Sequence, residues 1–177
     1  MTKLLIVAPA FNEEVAVPRF LAEARAFRDA HRPDLEIRVL IVDDGSTDRT
    51  GTLLESAAAA DPSLVGYVRL SGNAGHQAAL IAGLCHAGPW PDAVVTMDVD
   101  LEHPFSVVRL LVDEWRRTGA IVVHAIREAS RDLPVMKRWP SALFYRVTSS
   151  LTRLPLNPGQ ADFRLWDATA LRSVSGY

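Results

Sequence analysis

The chain has 177 residues, of which 49% are hydrophobic and 23% are charged, values typical of one globular domain. A formal net charge of -2 provides no electrostatic case for nucleic-acid binding. Cys85 is the single cysteine, which excludes an intrachain disulfide, and no apolar run reaches the roughly 18 residues that span a bilayer.

Short apolar runs alternate with helical patterns along most of the chain. The predicted strands are residues 4–8, 37–42, 65–70, 93–97 and 120–126. The predicted helices are residues 12–31, 48–60, 75–87 and 104–118, with Asn12 and Asp48 as N-caps of the first two. Strands that alternate with helices are typical of βαβ units, so the sequence predicts an α/β domain with a mainly parallel sheet flanked by helices.

After residue 127 the pattern changes. Residues 128–160 mix basic side chains with aromatic and aliphatic ones, and prolines interrupt the stretch. We interpret this segment as a basic amphipathic surface that faces an acceptor or a membrane. An ordinary solvated face is the alternative.

Polar and acidic residues follow the predicted strands at the points where they end, in residues 9–12, 43–45, 71–73 and 98–100. The carboxyl ends of parallel strands share one rim of a sheet, and this rim is where α/β domains bind ligands. Asp98 and Asp100 come directly after a buried strand, and two carboxylates at that position suit Mg²⁺ or Mn²⁺. The sequence therefore predicts a metal site at this rim.

Asp43 and Asp44 end another strand. A carboxylate accepts hydrogen bonds, so this pair could bind the ring N–H of uracil or guanine, or a ribose hydroxyl. Turn and helix-cap chemistry is the alternative. Residues 73–76, N-A-G-H, open a predicted helix whose N-terminus favours phosphate, unless they form a simple turn. His76 and His103 attract interest because both lie at the rim.

Five ordered motifs resemble family 2 glycosyltransferases of the GT-A fold. They are A-P-A-F-N-E-E at residues 8–14, V-D-D-G-S-T-D at 42–48, N-A-G-H-Q-A-A-L-I-A-G at 73–83, M-D-V-D-L-E-H-P at 97–104 and A-D-F-R-L at 161–165. The last two are similar to the polyprenyl-phosphate branch, which includes dolichol-phosphate mannose synthase and bacterial undecaprenyl-phosphate glucosyltransferases. Glu102 departs from that branch, which usually has glutamine there.

The resemblance implies roles for individual residues. Asp98 and Asp100 would bind the metal, Asp100 and Asp162 would be catalytic, and Arg127, Arg131 and Lys137 would bind the acceptor phosphate. The residues implied in nucleotide-sugar binding are Pro9, Phe11, Asn12, Glu13, Asp43, Asp44, Gly45, Asn73, Gly75, His76 and Asp98.

The activity implied is metal-dependent, inverting transfer of a hexose from a donor of the UDP-glucose or GDP-mannose type to a polyprenyl phosphate. Such an acceptor needs no general base, because its second pKa of about 6 leaves it ionised at neutral pH. It needs a cationic cradle instead. We expect a protein on the cytoplasmic side of a membrane, peripheral to its inner face, with a second copy of the chain as a further candidate partner.

The same resemblance sets the expected domain organisation and leaves alternatives open. Residues 1–177 would form a single GT-A domain that is short at its C-terminus, with a helix beginning near the D-F-R-L segment. A family 2 transferase that acts on a hydroxyl acceptor, and a nucleotide-sugar-binding module without turnover, are the main alternatives. A phospho-accepting domain should carry its acidic pair after the first strand, and a dinucleotide-dependent oxidoreductase should carry G-x-G-x-x-G there. This chain has neither.

Overall fold

The computed structural model of the chain describes residues 1–126 and 160–174. The strands in this part are β1 (Thr2–Ala10), β2 (Leu35–Asp43), β3 (Val65–Arg69), β4 (Ala93–Thr96), β5 (Val122–Ile126) and β6 (Gln160–Asp167). The helices there are α1 (Ala16–His31), α2 (Thr50–Ala60), α3 (His76–His86), α4 (Phe105–Thr118) and α5 (Ala168–Val174). None of these helices is long and apolar enough to cross a bilayer.

The strands form one sheet in the order β3-β2-β1-β4-β6-β5. β1 pairs in parallel with β2 and β4, and β2 pairs in parallel with β3. β6 is antiparallel to both of its neighbours, β4 and β5. The α/β class and the mainly parallel sheet are therefore confirmed, with one antiparallel strand inserted.

The segment around residues 161–165 is a strand, so the helix expected to begin there is wrong. Phe163 and Leu165 of β6 are buried at 1% and 0% exposure, whereas Arg164 and Trp166 are partly exposed. This alternation has the period of two that a strand requires. The helix, α5, begins only at Ala168.

The start of α1 also differs from the sequence prediction. α1 begins at Ala16, after Val15 as a cap without a side-chain hydrogen bond. Asn12 is not its N-cap, because it has a left-handed backbone with a φ of 55°. Asp48 precedes α2 by two residues, and its Oδ1 still accepts the backbone N–H of Thr50 at 2.9 Å.

Alternate residues of β1 supply two apolar clusters on opposite faces of the sheet. Leu4 and Ile6 belong to the larger cluster, which includes residues of α1, α2 and α4. Leu5 and Val7 belong to the smaller one, which α3 and α5 complete. A central strand covered on both faces explains why its sequence is a continuous apolar run rather than an alternating one.

Gly83 sets how closely α3 packs on the sheet. A Cβ atom at this position would lie 2.4 Å from Cγ1 of Val7 and 2.9 Å from Cγ2 of Val42. Both neighbours are stiff, β-branched side chains on central strands, so little relief is available. The substitution Gly83→Ala should therefore lower the free energy of unfolding, measured by urea denaturation, by about 1–3 kcal/mol.

The sign of this change is informative, because glycine to alanine inside a helix is ordinarily stabilising by about 1 kcal/mol. The matched control is a double-mutant cycle with Val7→Ala, which removes the closest methyl group: Gly83→Ala should cost less in the Val7→Ala background than in the wild type. A Gly83→Ala protein as stable as the wild type would contradict the close packing of α3.

Candidate functional site

A cleft of about 400 Å³ lies at the carboxyl ends of the central strands. It is lined by Pro9, Ala10, Phe11, Glu13, Asp44, Asn73, Gly75, His76, Asp98, Val99 and Asp100. Most of the side chains implied in donor and metal binding thus lie together. Asn12, Asp43 and Gly45 are absent from the lining. Ala10 and Val99 also line the cleft, and each lies between two predicted site residues.

One wall of the cleft is acidic. Glu13 lies there with Asp98 and Asp100, which belong to the loop that follows β4. Burial raises the pKa of the Glu13 carboxyl, and the negative charges of Asp100, Asp48 and Asp98 raise it further. The cleft therefore concentrates carboxylates whose mutual repulsion a cation would relieve.

The loop after β4 has a defined geometry. Oδ1 of Asp100 accepts the backbone N–H of Glu102 at 2.9 Å, and Leu101 between them has a φ of 63°. Farther along the loop, the ring of His103 stacks on Phe163 of β6, with the centroids 4.7 Å apart. The loop is thus held both by its own turn and by the antiparallel strand.

The N-terminus of α3 also lines the cleft. Gly75 precedes the helix with a φ of 93° and a ψ of 154°, a conformation that is essentially restricted to glycine. A Cβ atom at Gly75 would meet nothing within 4 Å, so the space beside it is open. Nε2 of His76, the first residue of α3, lies 3.6 Å from Oδ1 of Asp98.

Asp44 joins the turn after β2 to the loop that opens α3. Its two carboxylate oxygens accept the backbone N–H groups of Ala74 at 2.7 Å and Gly75 at 2.9 Å. Its own N–H donates to the carbonyl of Ala10 at 2.8 Å. Asp44 therefore holds three segments of the cleft in register, and the two N–H groups that it binds are engaged within the protein.

Asp43 faces away from the cleft and is fully buried. Its Oδ1 accepts the Ser46 N–H at 2.9 Å, and its Oδ2 lies 3.3 Å from Nε of Arg69. Nη2 of the same guanidinium donates to the Ser46 carbonyl at 3.1 Å. Asp43 thus stabilises the turn after β2 through these contacts. Asp44 is the member of the acidic pair that borders the cleft.

The side chains of the cleft fit a divalent cation whose remaining ligands come from a substrate. Within residues 1–126 and 160–174, no three His, Cys, Asp or Glu side chains converge closely enough to hold a metal by themselves. Asp98 and Asp100 nevertheless offer hard oxygen ligands in one cleft. Mg²⁺ is usually bound in this way, by one or two carboxylates together with substrate phosphates.

Several predicted residues lie outside the described part of the chain. They are Arg127, Arg131 and Lys137, together with nearly all of the basic amphipathic segment at residues 128–160. Asp162 belongs to β6, but its side chain is not among those described. Their roles stay predictions.

Known proteins resemble this chain along its length. The sequence profile of the family described as "Glycosyl transferase family 2" matches residues 5–172. A bactoprenol glucosyl transferase of Shigella phage SfV is 33% identical over 172 residues, which are 97% of this chain and 54% of that protein. A prophage bactoprenol glucosyl transferase homolog of Escherichia coli (strain K12) is 32% identical with the same coverage.

Solved structures share the fold. A mannosyltransferase from Pyrobaculum calidifontis in complex with GDP-Man and Mn²⁺ has a TM-score of 0.66 and 21% identity, covering 99% of this chain and 47% of that one. S. aureus TarS in complex with UDP-GlcNAc has a TM-score of 0.63 and 19% identity, covering 100% and 48%.

The chain spans about half the length of the curated relatives that it matches. Family and fold follow from the profile match over nearly all residues and from the shared sheet topology, and the cleft lies where the motifs of the sequence converge. This chain therefore belongs to glycosyl transferase family 2 and has the GT-A fold.

Proposed function

We propose that the cleft binds a nucleotide-sugar donor together with Mg²⁺ or Mn²⁺, and that the domain transfers the hexose of this donor to a polyprenyl phosphate. The observation that carries the proposal is the acidic wall, where Glu13, Asp98 and Asp100 line one cleft together with the start of α3. Relatives that are named bactoprenol glucosyl transferases support the acceptor class.

Asp98 and Asp100 would hold the cation, which would neutralise charge on the departing nucleoside diphosphate. Phe11 and Pro9 would border the nucleoside, and Asp44 would keep the loop that opens α3 in place through Ala74 and Gly75. These assignments are compatible with either uridine or guanosine as the nucleoside of the donor.

The transfer itself would form a bond between a phosphate oxygen of the acceptor and the anomeric carbon, while the bond from that carbon to the nucleoside diphosphate breaks. Direct displacement of this kind inverts the anomeric configuration. A phosphate acceptor is already ionised at neutral pH, so the reaction requires cationic side chains around the acceptor phosphate rather than a general base. Arg127, Arg131 and Lys137 are the proposed cations, and Asp162 is proposed to lie near the reacting centre. The reaction would take place at the inner face of a membrane.

Calorimetric titration of the purified protein with UDP-glucose and GDP-mannose, each with and without Mn²⁺, tests the donor site. We expect one donor to bind, and to bind only with the metal present. Incubation of that donor, labelled in its hexose, with a short polyprenyl phosphate should then move label into the organic phase. Label in a water-soluble product would favour a hydroxyl acceptor, binding without transfer would favour a module without turnover, and no donor binding would overturn the proposal.

A further inference from the structure

Two loops at the rim are joined by hydrogen bonds between residues far apart in the sequence. The loop after β1 comprises residues 11–15, and the loop after β2 comprises residues 44–49. The backbone N–H of Glu14 in the first loop donates to Oδ2 of Asp48 at 3.1 Å. The N–H of Glu13 donates to the hydroxyl of Thr50, directly after the second loop, at 2.8 Å.

Asn12 makes the largest number of these contacts. Its Oδ1 accepts the backbone N–H of Thr47 at 2.9 Å, the hydroxyl of Thr47 at 3.3 Å and the N–H of Asp48 at 3.4 Å. Its own backbone N–H donates to Oγ of Ser46 at 2.9 Å. We call the contacts of Asn12 with Ser46, Thr47 and Asp48 the Asn12 latch.

The chemistry of Asn12 suits this position in two ways. Two of the three groups that face its side chain are backbone N–H groups, which only donate, so the amide oxygen must be the atom that meets them. Its φ of 55° lies in the left-handed region, which asparagine adopts more readily than most residues other than glycine. The latch therefore requires an acceptor oxygen on a residue that tolerates a positive φ.

Asn12 does not line the cleft, although its neighbours Phe11 and Glu13 do. Phe11 and Glu13 both precede α1, which begins at Ala16. The carbonyl of Glu13 accepts the N–H of Val17 at 2.9 Å, whereas the N–H of Glu13 donates to the hydroxyl of Thr50. We propose that Asn12 is a positioning residue, which holds Phe11 and Glu13 in the donor cleft by latching their loop to residues 46–48. This inference rests on the proposed donor site.

Two substitutions separate the latch from direct contact with a ligand. Asn12→Gly keeps the left-handed backbone but removes the acceptor, and should weaken Mn²⁺-dependent donor binding about tenfold, as measured by calorimetry. Asn12→Asp retains an acceptor oxygen and should stay within about threefold of the wild type. Thr47→Val, which removes only the hydroxyl contact, is the matched control and should also stay within about threefold.

Hydrogen exchange of the ligand-free protein tests the latch without any donor. Amide exchange of residues 46–50, followed by mass spectrometry, should be about tenfold faster in Asn12→Gly and unchanged in Asn12→Asp. Equal weakening of donor binding by both variants, with unchanged exchange, would make Asn12 a direct ligand and overturn the proposal. If the wild type binds no donor, the proposed function fails, and unchanged exchange in Asn12→Gly would then independently overturn the latch.

Discussion

Replacing Asp100 with asparagine is expected to weaken Mn²⁺-dependent donor binding by about 100-fold or more. Asparagine is nearly isosteric and its oxygen can still accept the Glu102 N–H, so the loop should keep its shape. What the variant removes is one of two carboxylate charges proposed to hold the cation. The measurement is donor titration by calorimetry, with Mn²⁺ varied at fixed donor concentration.

The matched control is Asp29→Asn, which changes an exposed carboxylate on α1 that contacts Arg28. It removes the same charge from the protein without touching the cleft, and donor affinity should stay within about twofold. Thermal unfolding of both variants should remain close to that of the wild type. An Asp100→Asn protein that binds the donor with unchanged affinity and unchanged metal dependence would contradict the assignment of Asp100 as a metal ligand.

The central parallel strands, β1 and β4, were predictable because they are buried on both faces. β1 shows this most clearly, since residues 4–8 form an unbroken apolar run. β6 was not predictable in the same way. Its buried positions, Phe163 and Leu165, alternate with Arg164 and Trp166 over a short stretch, and its place between β4 and β5 depends on pairing with distant residues.

Local rules also misplaced the beginning of α1. Asn12 followed by two glutamates has the composition of a helix N-terminus. In the fold, however, the side chain of Asn12 binds Thr47 and Asp48, more than thirty residues away along the chain. Tertiary contacts of this kind compete with capping and are invisible to a rule that considers only neighbouring residues.

The acidic pair after β2 shows how far the site itself could be predicted. The position of Asp43 and Asp44 at a strand end was sufficient to place them at the rim. Which of the two borders the cleft was not predictable from their position, because successive side chains of an extended chain point to opposite sides. The structure turns Asp43 towards Arg69 and leaves Asp44 at the cleft.

Replacing Gly45 with alanine should lower the free energy of unfolding by about 3 kcal/mol, since two penalties add. Gly45 has a φ of 73°, which disfavours any residue with a Cβ atom. That Cβ would also lie 2.6 Å from both Cα and the carbonyl carbon of Gly72, and 2.9 Å from the backbone nitrogen of Asn73. Backbone atoms cannot rotate aside, so the loop that opens α3 must move.

Movement of that loop should also change the donor site. Ala74 and Gly75, which follow Gly72 and Asn73 in the loop, donate their N–H groups to Asp44 at the cleft. Donor affinity in Gly45→Ala should therefore fall about tenfold or more, under conditions where the variant is still folded. Urea denaturation measures the first effect, and calorimetric donor titration measures the second.

Two other glycines separate the effect of the positive φ from the effect of the steric contact. Gly88 has a φ of 61° and open space around it, so Gly88→Ala should show only the conformational penalty, about 1 kcal/mol. The φ of Gly72 lies outside the left-handed region and a Cβ atom there would meet nothing within 4 Å, so Gly72→Ala should stay within about 0.5 kcal/mol of the wild type. If Gly45→Ala is no less stable than Gly88→Ala, the close approach of Gly45 to Gly72 and Asn73 does not constrain the loop that opens α3.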